Sequence, residues 1–293
     1  MAGSPTIGTT FALAGAGRLR AGADKTALGL GIGPTTVGLE WGQNGLRFAW
    51  MTQPIPIFGP IVTDTVAVAA AVGVQPCDLA GGDLPVQVAS SGVPFLYVAL
   101  NSRAAVDAAA VDRPKLCALL RPLDLEELPV FVFSPEPADD GATVYSRMFA
   151  PVFRIPEDPG TGGASGPLGA YLLKYNVVSA DTASRLVSLQ GVRMGRPSRI
   201  RIALSSRVGV LEEVRVGGEA RPCSLLWGNS DSACATSSEA TFQAMPTQSQ
   251  RRSPVRHKAS GRLCACLLYT SVSIENIRSW HLVMILHAIS QFK

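Results

Sequence analysis

Histidine is missing from the first 222 residues: the chain's three, His257, His281 and His287, all fall in the last segment. The body of the protein therefore has no imidazole to serve as a base. Cysteine is sparse as well, since Cys77, Cys117, Cys223, Cys234, Cys264 and Cys266 are too few for a disulfide scaffold and form no C-x-x-C pair, so reduced thiols are expected. No apolar run reaches the roughly 18 residues of a membrane span. One of the longest, IVTDTVAVAAAVGV, is broken by Asp64. No signal-peptide pattern opens the sequence, and a cytoplasmic protein without a membrane partner is expected. An excess of positive charge is also absent from the body. The formal net charge is +4, but residues 223–293 hold seven Lys/Arg against three Asp/Glu, so the 19 basic and 19 acidic residues of 1–222 cancel. This distribution gives no footprint for a polyanion, and no nucleic-acid partner is expected.

What is present is enough apolar material, 47% of 293 residues, for one large or two modest domains. From Thr35 to about Phe153 the runs TTVGLEW, LRFAWM, LPVQVAS, VPFLYVAL, PVFVFS and TVYSRMFAPVF read as strands punctuated by Gly and Pro. SRAAVDAAAVDR predicts a helix capped by Ser102 and ended by Pro114. PLGAYLLKYNVV predicts another helix, and SRLVSLQG, SRIRIALSS and LEEVRVGG predict three further strands.

Two segments 154 residues apart resemble one another. SPTIGTTFALAG begins at Ser4 and DPGTGGASGPLG at Asp158, and each has a capping residue, then proline, then glycine four residues after the cap, then an apolar run. Ser4 or Asp158 could accept from first-turn amides, and Pro5 or Pro159 would sit where a helix needs no N–H. The repeat predicts two similar halves, each around a central helix whose amides are exposed at its start. In the second half, two strands precede the helix. If the halves are alike, about 30–40 residues of strand–loop–strand are expected ahead of Ser4.

The stretch RIPEDPGTGGASGPLGAYLL, residues 154–173, places five glycines and three prolines before and within the second of these helices. Glycines let an anion approach the free N–H groups of a helix start, which suits a carboxylate or phosphate cradle. The same spacing fits an ordinary strand-to-helix turn with Asp158 as cap. No Gly-Lys-Ser/Thr follows, which excludes a P-loop, and Ser165 lacks the G-x-S-x-G frame of a nucleophile elbow. The glycines between Gly29 and Gly38 are followed by Pro34 and strand-like residues, which excludes a dinucleotide fingerprint and predicts a flexible helix-to-strand crossing. Glu157–Asp158 and Asp139–Asp140 are adjacent pairs whose side chains point apart, not acid/base dyads.

AGSPTIGTTFALA, LGLGIGPTTVGLEW, FAWMTQ, SSGVPFLYVAL, EDPGTGGASGPLGAYL and QGVRMGRPSRIRI, together and in this order, resemble the PhzF-type phenazine-biosynthesis isomerase family, over residues 2 to about 222. The resemblance implies an α/β (α+β) protein of two similar halves, each a curved, mainly antiparallel sheet around a central helix, with the diaminopimelate-epimerase-like fold. It implies residues 1–102 for the first half and 103–222 for the second, with no metal or cofactor in the cleft between them. The implied activity is isomerisation of a small carboxylic acid by proton transfer. Separately, a first half without its first strands would leave the helix from Ser4 partly uncovered and the sheet with an open edge, so poor solubility or a homodimer through that edge is expected. Carried over residue by residue, the resemblance makes Asp158 the catalytic residue and Ser4, Gly160, Thr161, Gly162 and Gly163 the substrate-binding ones. The family's first helix usually starts His-Pro, where this chain has Ser4; the second usually carries Ser where Gly163 stands. A glutamate expected upstream of the first helix has no counterpart here. These departures imply an impaired isomerase, or alternatively a non-catalytic carboxylate-binding remnant or truncated gene product. Beyond EVRVGGEARP the pattern lapses until NIRSWHLVMILHAI, so residues 223–293 are expected to be a disordered linker with a short helix, or sequence foreign to the rest.

Overall fold

The apolar runs VQVAS, PFLYVA, VFVFS and VYSRMFA are too short for helices and almost uninterrupted by exposed positions, the pattern of strands covered on both faces. The structure, a computed structural model describing residues 3–30 and 33–220, shows this arrangement. In chain order the elements are α1 (Gly3–Gly15), β1 (Lys25–Leu30), β2 (Gly33–Gly42), β3 (Gly45–Gln53), β4 (Ile57–Val62) and α2 (Thr65–Val72). There follow β5 (Val86–Ser90), β6 (Pro94–Ala99), α3 (Arg103–Ala108), α4 (Arg113–Leu120), β7 (Val130–Ser134), β8 (Val144–Ala150) and β9 (Ile155–Asp158). The last are α5 (Gly162–Lys174), β10 (Leu186–Gln190), β11 (Ser198–Arg207) and β12 (Val210–Gly218).

The strands form one sheet in the order β1-β2-β3-β12-β11-β10-β8-β7-β6-β5-β4, with β9 branching from β8. Pairing is antiparallel except between β6 and β7 and between β8 and β10. The sheet bends around α5, because side chains of β5, β6, β7, β8, β11 and β12 all reach it: Ala89, Tyr97, Phe131, Phe133, Met148, Ile202, Leu204 and Val214 share a core with Leu168, Tyr171 and Leu172. Each large side chain buried there contributes about 1.5–3 kcal/mol. On the other face of β5–β8 lie α2, α3 and α4, with Leu116, Leu120, Val106 and Val132 at their junction. A third, smaller core joins Ile7 of α1 to Leu28, Val37, Leu39, Ala49 and Met51 of β1–β3. The architecture is mixed α+β, a mainly antiparallel sheet about central helices. β5 and β6 precede residue 102 in the chain, yet they pack against α5.

Small residues explain how tightly strands approach α5. A methyl group on Gly169 would lie 2.6 Å from Ile202 Cγ2, and one on Gly166 would lie 2.1 Å from Gln53 Oε1 and 2.9 Å from Val214 Cγ1. Pro167, inside the helix, withholds a backbone donor.

Several expectations change. The predicted helix 102–113 is two: Ser102 does cap α3, but α3 ends at Ala108, and Pro114 opens α4 behind the Asp112 cap. The glycine-rich crossing around Gly29–Gly38 is an antiparallel pair, β1 with β2, in which Leu30 faces Gly33 at φ 104°. A glycine tolerates that angle, so the pattern marks a hairpin and not a helix boundary. The strand predicted from Thr143 stops at Ala150, followed by a short 3-10 turn over Pro151–Phe153. Among the described residues the strand order ends at β1 and β4. Pro60 and a register shift between Phe58 and Ile61 interrupt β4, which discourages addition of a further strand there. The expectations for residues 223–293 lie outside the described residues. Among the described residues no helix is long and apolar enough to cross a membrane.

Candidate active site

The two helices singled out by the repeat meet at their starts. A methyl group on Gly3 would lie 2.7 Å from the Cα and carbonyl carbon of Gly162, and one on Gly162 would lie 3.0 Å from the Cα of Gly3. Backbone therefore rests on backbone, a contact open only to glycine on both sides. Ser4 lies in the first turn of α1, and its hydroxyl donates to the carbonyl of Gly160. It bridges to the other helix start instead of capping its own, as the sequence had suggested.

Asp158 differs from expectation in the same way. It is the last residue of β9, paired with Met148 of β8, and this extended pairing keeps it out of the helix. The turn 159–161 follows, and the N-cap position of α5 falls to Thr161, whose side chain makes no capping bond. Instead Thr161 Oγ1 donates to Asp158 Oδ2 at 2.6 Å, which fixes the carboxylate beside the helix start.

Two glutamines, neither marked by any sequence motif, hold this turn. Gln190, fully buried at the end of β10, donates from Nε2 to Asp158 O at 2.6 Å and to Thr161 Oγ1 at 2.9 Å. Its Oε1 accepts from the Thr161 amide at 3.1 Å. The Thr161 N–H is thus engaged within the protein, which leaves the first-turn amides of Gly162 and Gly163 as the donors a helix start leaves without an intrahelical acceptor. Gln53, at the end of β3, donates to Gly162 O at 2.9 Å. Parity is the signal that bears on Gln53: it shares its strand face with Ala49 and Met51, both buried, so a polar residue there needs an internal partner. No such signal marks Gln190, since every residue of β10 is buried.

A cavity of about 320 Å³ opens beside the junction. Gly3, Ser4, Gly8 and Thr9 of α1, Gly160 and Gly162 of the second helix start, Ile200 and Val216 line it, and Glu219 contributes a carboxylate-bearing residue to its wall. It falls in the size range of small-molecule sites. The neighbouring carboxylates that sequence adjacency had paired have other partners. Glu157 receives a two-pronged bond from Arg147 at 2.9 and 2.8 Å. Arg147 also donates to the carbonyls of Val106, Asp107 and Ala109 at the end of α3. Asp140 pairs with Arg103 at 2.6 Å, and that hydrogen bond, followed by one from the Ala142 amide, holds its pKa down at about 2. Below α5, burial pushes the Tyr97 phenol up and keeps it a donor, 2.7 Å from Ala164 O. Among the described residues no three His, Cys, Asp or Glu side chains are grouped to hold a metal ion.

The cavity lining includes Gly160 and Gly162 but not Asp158, Thr161 or Gly163. Abutting helix starts with glycine backbones can stabilise a ligand carboxylate, and the Asp158 carboxylate, held by Thr161, lies on the neighbouring turn. The family model described as phenazine biosynthesis-like protein, PhzC-PhzF, matches residues 1–224. The chain belongs to this family. Among its relatives is the trans-2,3-dihydro-3-hydroxyanthranilate isomerase of Pseudomonas aeruginosa, 32% identical over 199 residues, covering 68% of this chain and 64% of the relative. The enzyme of the same name from Pseudomonas chlororaphis is 30% identical, over 74% of this chain and 70% of that one. An uncharacterized isomerase from Mesorhizobium japonicum is also 30% identical, over 75% of this chain and 72% of its own. The chain thus spans roughly two thirds of the curated relatives it matches. In fold it resembles a PhzF-family phenazine biosynthesis protein from Bacillus anthracis, with a TM-score of 0.63 at 22% identity over 73% of this chain and 71% of the other. A predicted epimerase from Pseudomonas aeruginosa gives a TM-score of 0.56 at 28% identity, covering 73% and 70%. The architecture is thus that of the PhzF and diaminopimelate-epimerase-like proteins.

Proposed function

We propose that this PhzF-family chain is an isomerase that binds a small carboxylic acid at the junction of α1 and α5 and moves a proton between two of its carbons, with Asp158 as acid and base. The abutting of the two helix starts through Gly3 and Gly162, with Asp158 fixed by Thr161 beside them, carries the reading. The first-turn amides of Gly162 and Gly163 hold the carboxylate, where each favourable helix-end interaction is worth about 0.3–1 kcal/mol. The proton leaves one carbon for Asp158 and returns to another, so the reaction has no net change in atoms or electrons. Ser4, occupied with Gly160 O, positions the two starts. With Asp158 as the one carboxylate on the turn before α5 among the described residues, turnover is expected to be slow.

Incubating the full chain with trans-2,3-dihydro-3-hydroxyanthranilate in D₂O and following the spectrum by NMR tests this. Isomerisation with deuterium uptake is expected, and Asp158→Asn should lower its rate about 10²–10⁴-fold. An unchanged rate in Asp158→Asn removes Asp158 from the chemistry. Binding without turnover favours a carboxylate-binding protein, which the occupied Ser4 hydroxyl would suit.

A further inference from the structure

We infer that Gln53 is a positioning residue for the anion site, acting through the peptide unit between Gly162 and Gly163. The inference rests on the reading above, that carboxylates bind at the helix junction. Gln53 lies on β3 and is 4% exposed. Its Nε2 donates to Gly162 O at 2.9 Å. A peptide unit is planar and trans, so its C=O and N–H point in opposite directions. Holding the carbonyl of Gly162 therefore aims the N–H of Gly163 the other way, toward the helix start. Glycines at 162 and 163 impose little torsional preference of their own, so in this first turn of α5 a bond from outside the helix adds to what the helical turn alone fixes. A bond to the carbonyl also polarises the unit and strengthens its N–H as a donor.

The other end of the same side chain shows that packing alone does not account for it. Gln53 Oε1 is buried and has no hydrogen-bond partner among the described residues. It rests against the backbone of Gly166, where a methyl group would come within 2.1 Å. A buried acceptor left unsatisfied is costly, and methionine would fill the same space without it. Retaining an amide at this cost fits a residue whose donor has a task. Because β3 belongs to the wall around α1 and Gly162 to α5, the bond also sets one helix start relative to the other.

Gln53→Met and Gln53→Glu in the full chain test this, with 3-hydroxyanthranilate as probe, amide NMR for binding and thermal melts for folding. Gln53→Met should melt at the wild-type temperature or above while binding the probe about 5–10-fold more weakly, the weight of one hydrogen bond. Gln53→Glu can donate to Gly162 O only when protonated, so its affinity relative to the wild type at the same pH should approach one at low pH and fall as pH rises, the wild type serving as control for titration of the probe and of Asp158. Without any probe, the Gly163 amide proton should shift in Gln53→Met more than that of Ala170. Wild-type affinity in Gln53→Met, or an unmoved Gly163 resonance, overturns the role of Gln53. Failure of the wild type to bind overturns the carboxylate reading instead, and the probe-free Gly163 shift then still decides whether Gln53 aims this donor.

Discussion

α1 and α5 are both thirteen residues long and meet at their starts, yet they are built in opposite ways. Ten residues of α5 are buried, and strands from both sides close on it. Four residues of α1 are buried, and it rests on β1–β3 along one face. The same device, a helix start aimed at a ligand, is thus fixed by a surrounding core in one case and by a single layer in the other. α5 can afford poor helix formers such as Gly162, Gly166, Pro167 and Gly169 because packing and not propensity holds it. α1 has less to compensate for its own glycines. The difference teaches where rigidity in the site comes from: the second helix start is held by Gln190, Gln53 and Thr161, the first by its contact with the second.

Core truncations should separate the two helices most widely. Leu168 of α5 is fully buried, so Leu168→Ala should cost about 2–5 kcal/mol in denaturant unfolding. Leu13 of α1 is half-buried, and Leu13→Ala should cost about 1 kcal/mol, the smaller area it removes from water. Equal losses would break the contrast and show α1 to be as tightly integrated as α5.

Glycine-to-alanine changes sharpen the contrast, because the signs should differ. At Gly169 a new methyl group meets Ile202 at 2.6 Å. Overpacking of about 1–3 kcal/mol then outweighs the roughly 1 kcal/mol that alanine gains as a helix former. At Gly8 nothing lies within 4 Å, so the same substitution should stabilise by about 0.5–1 kcal/mol. Urea midpoints of the two variants give the answer. Destabilisation by Gly8→Ala would mean that the open face of α1 is less free than its surroundings show.

Much of this architecture was legible in the sequence, for a physical reason: short, largely apolar runs at 86–90, 94–99, 130–134 and 144–150, separated by Gly, Pro and polar residues, have few alternatives to buried strands. The repeat around Ser4 and Asp158 located both helix starts, because proline and glycine leave their marks locally. The roles of Ser4 and Asp158 within those starts were not legible. β9 pairs with β8 and draws Asp158 out of the helix, a long-range effect that overrides a sound local capping pattern. The partners of Gln190 and Gln53 were not legible because they are 29 and 109 residues away in the chain, although strand parity marks Gln53 as buried. β1 was hidden by Gly29 and the glycines that follow it, α2 by a run of alanine and valine that suits either helix or strand, and β4 by Gly59 and Pro60 at its middle.

The smallest effect expected concerns acid, and it contrasts the ion pairs of the two regions. Beyond β7, Asp140 accepts two bonds from Arg103, which is mostly buried, and its backbone carbonyl accepts from Arg199. Near α1, Arg47 and Glu40 pair in the open, at 68% and 44% side-chain exposure. The Asp140 carboxyl is held at about 2 against an ordinary 3.8, first by the Arg103 hydrogen bond. A carboxyl depressed on folding contributes stability that is fully present above its unfolded value and is lost as pH falls through its folded one. For Asp140 that window runs from near pH 4 down to about pH 2. Asp140→Asn should therefore be less stable than the wild type at neutral pH, and the gap should narrow steadily across this window. Glu40→Gln should differ little from the wild type at pH 7, since an exposed pair is worth about 0–1 kcal/mol and is screened by salt. Unfolding midpoints at pH 7, 4 and 2 in low salt measure both. A gap for Asp140→Asn that stays constant down to pH 2 would show that the bond of Arg103 to Asp140 survives protonation, and that the region around α3 is tied by its neutral hydrogen bonds and not by charge.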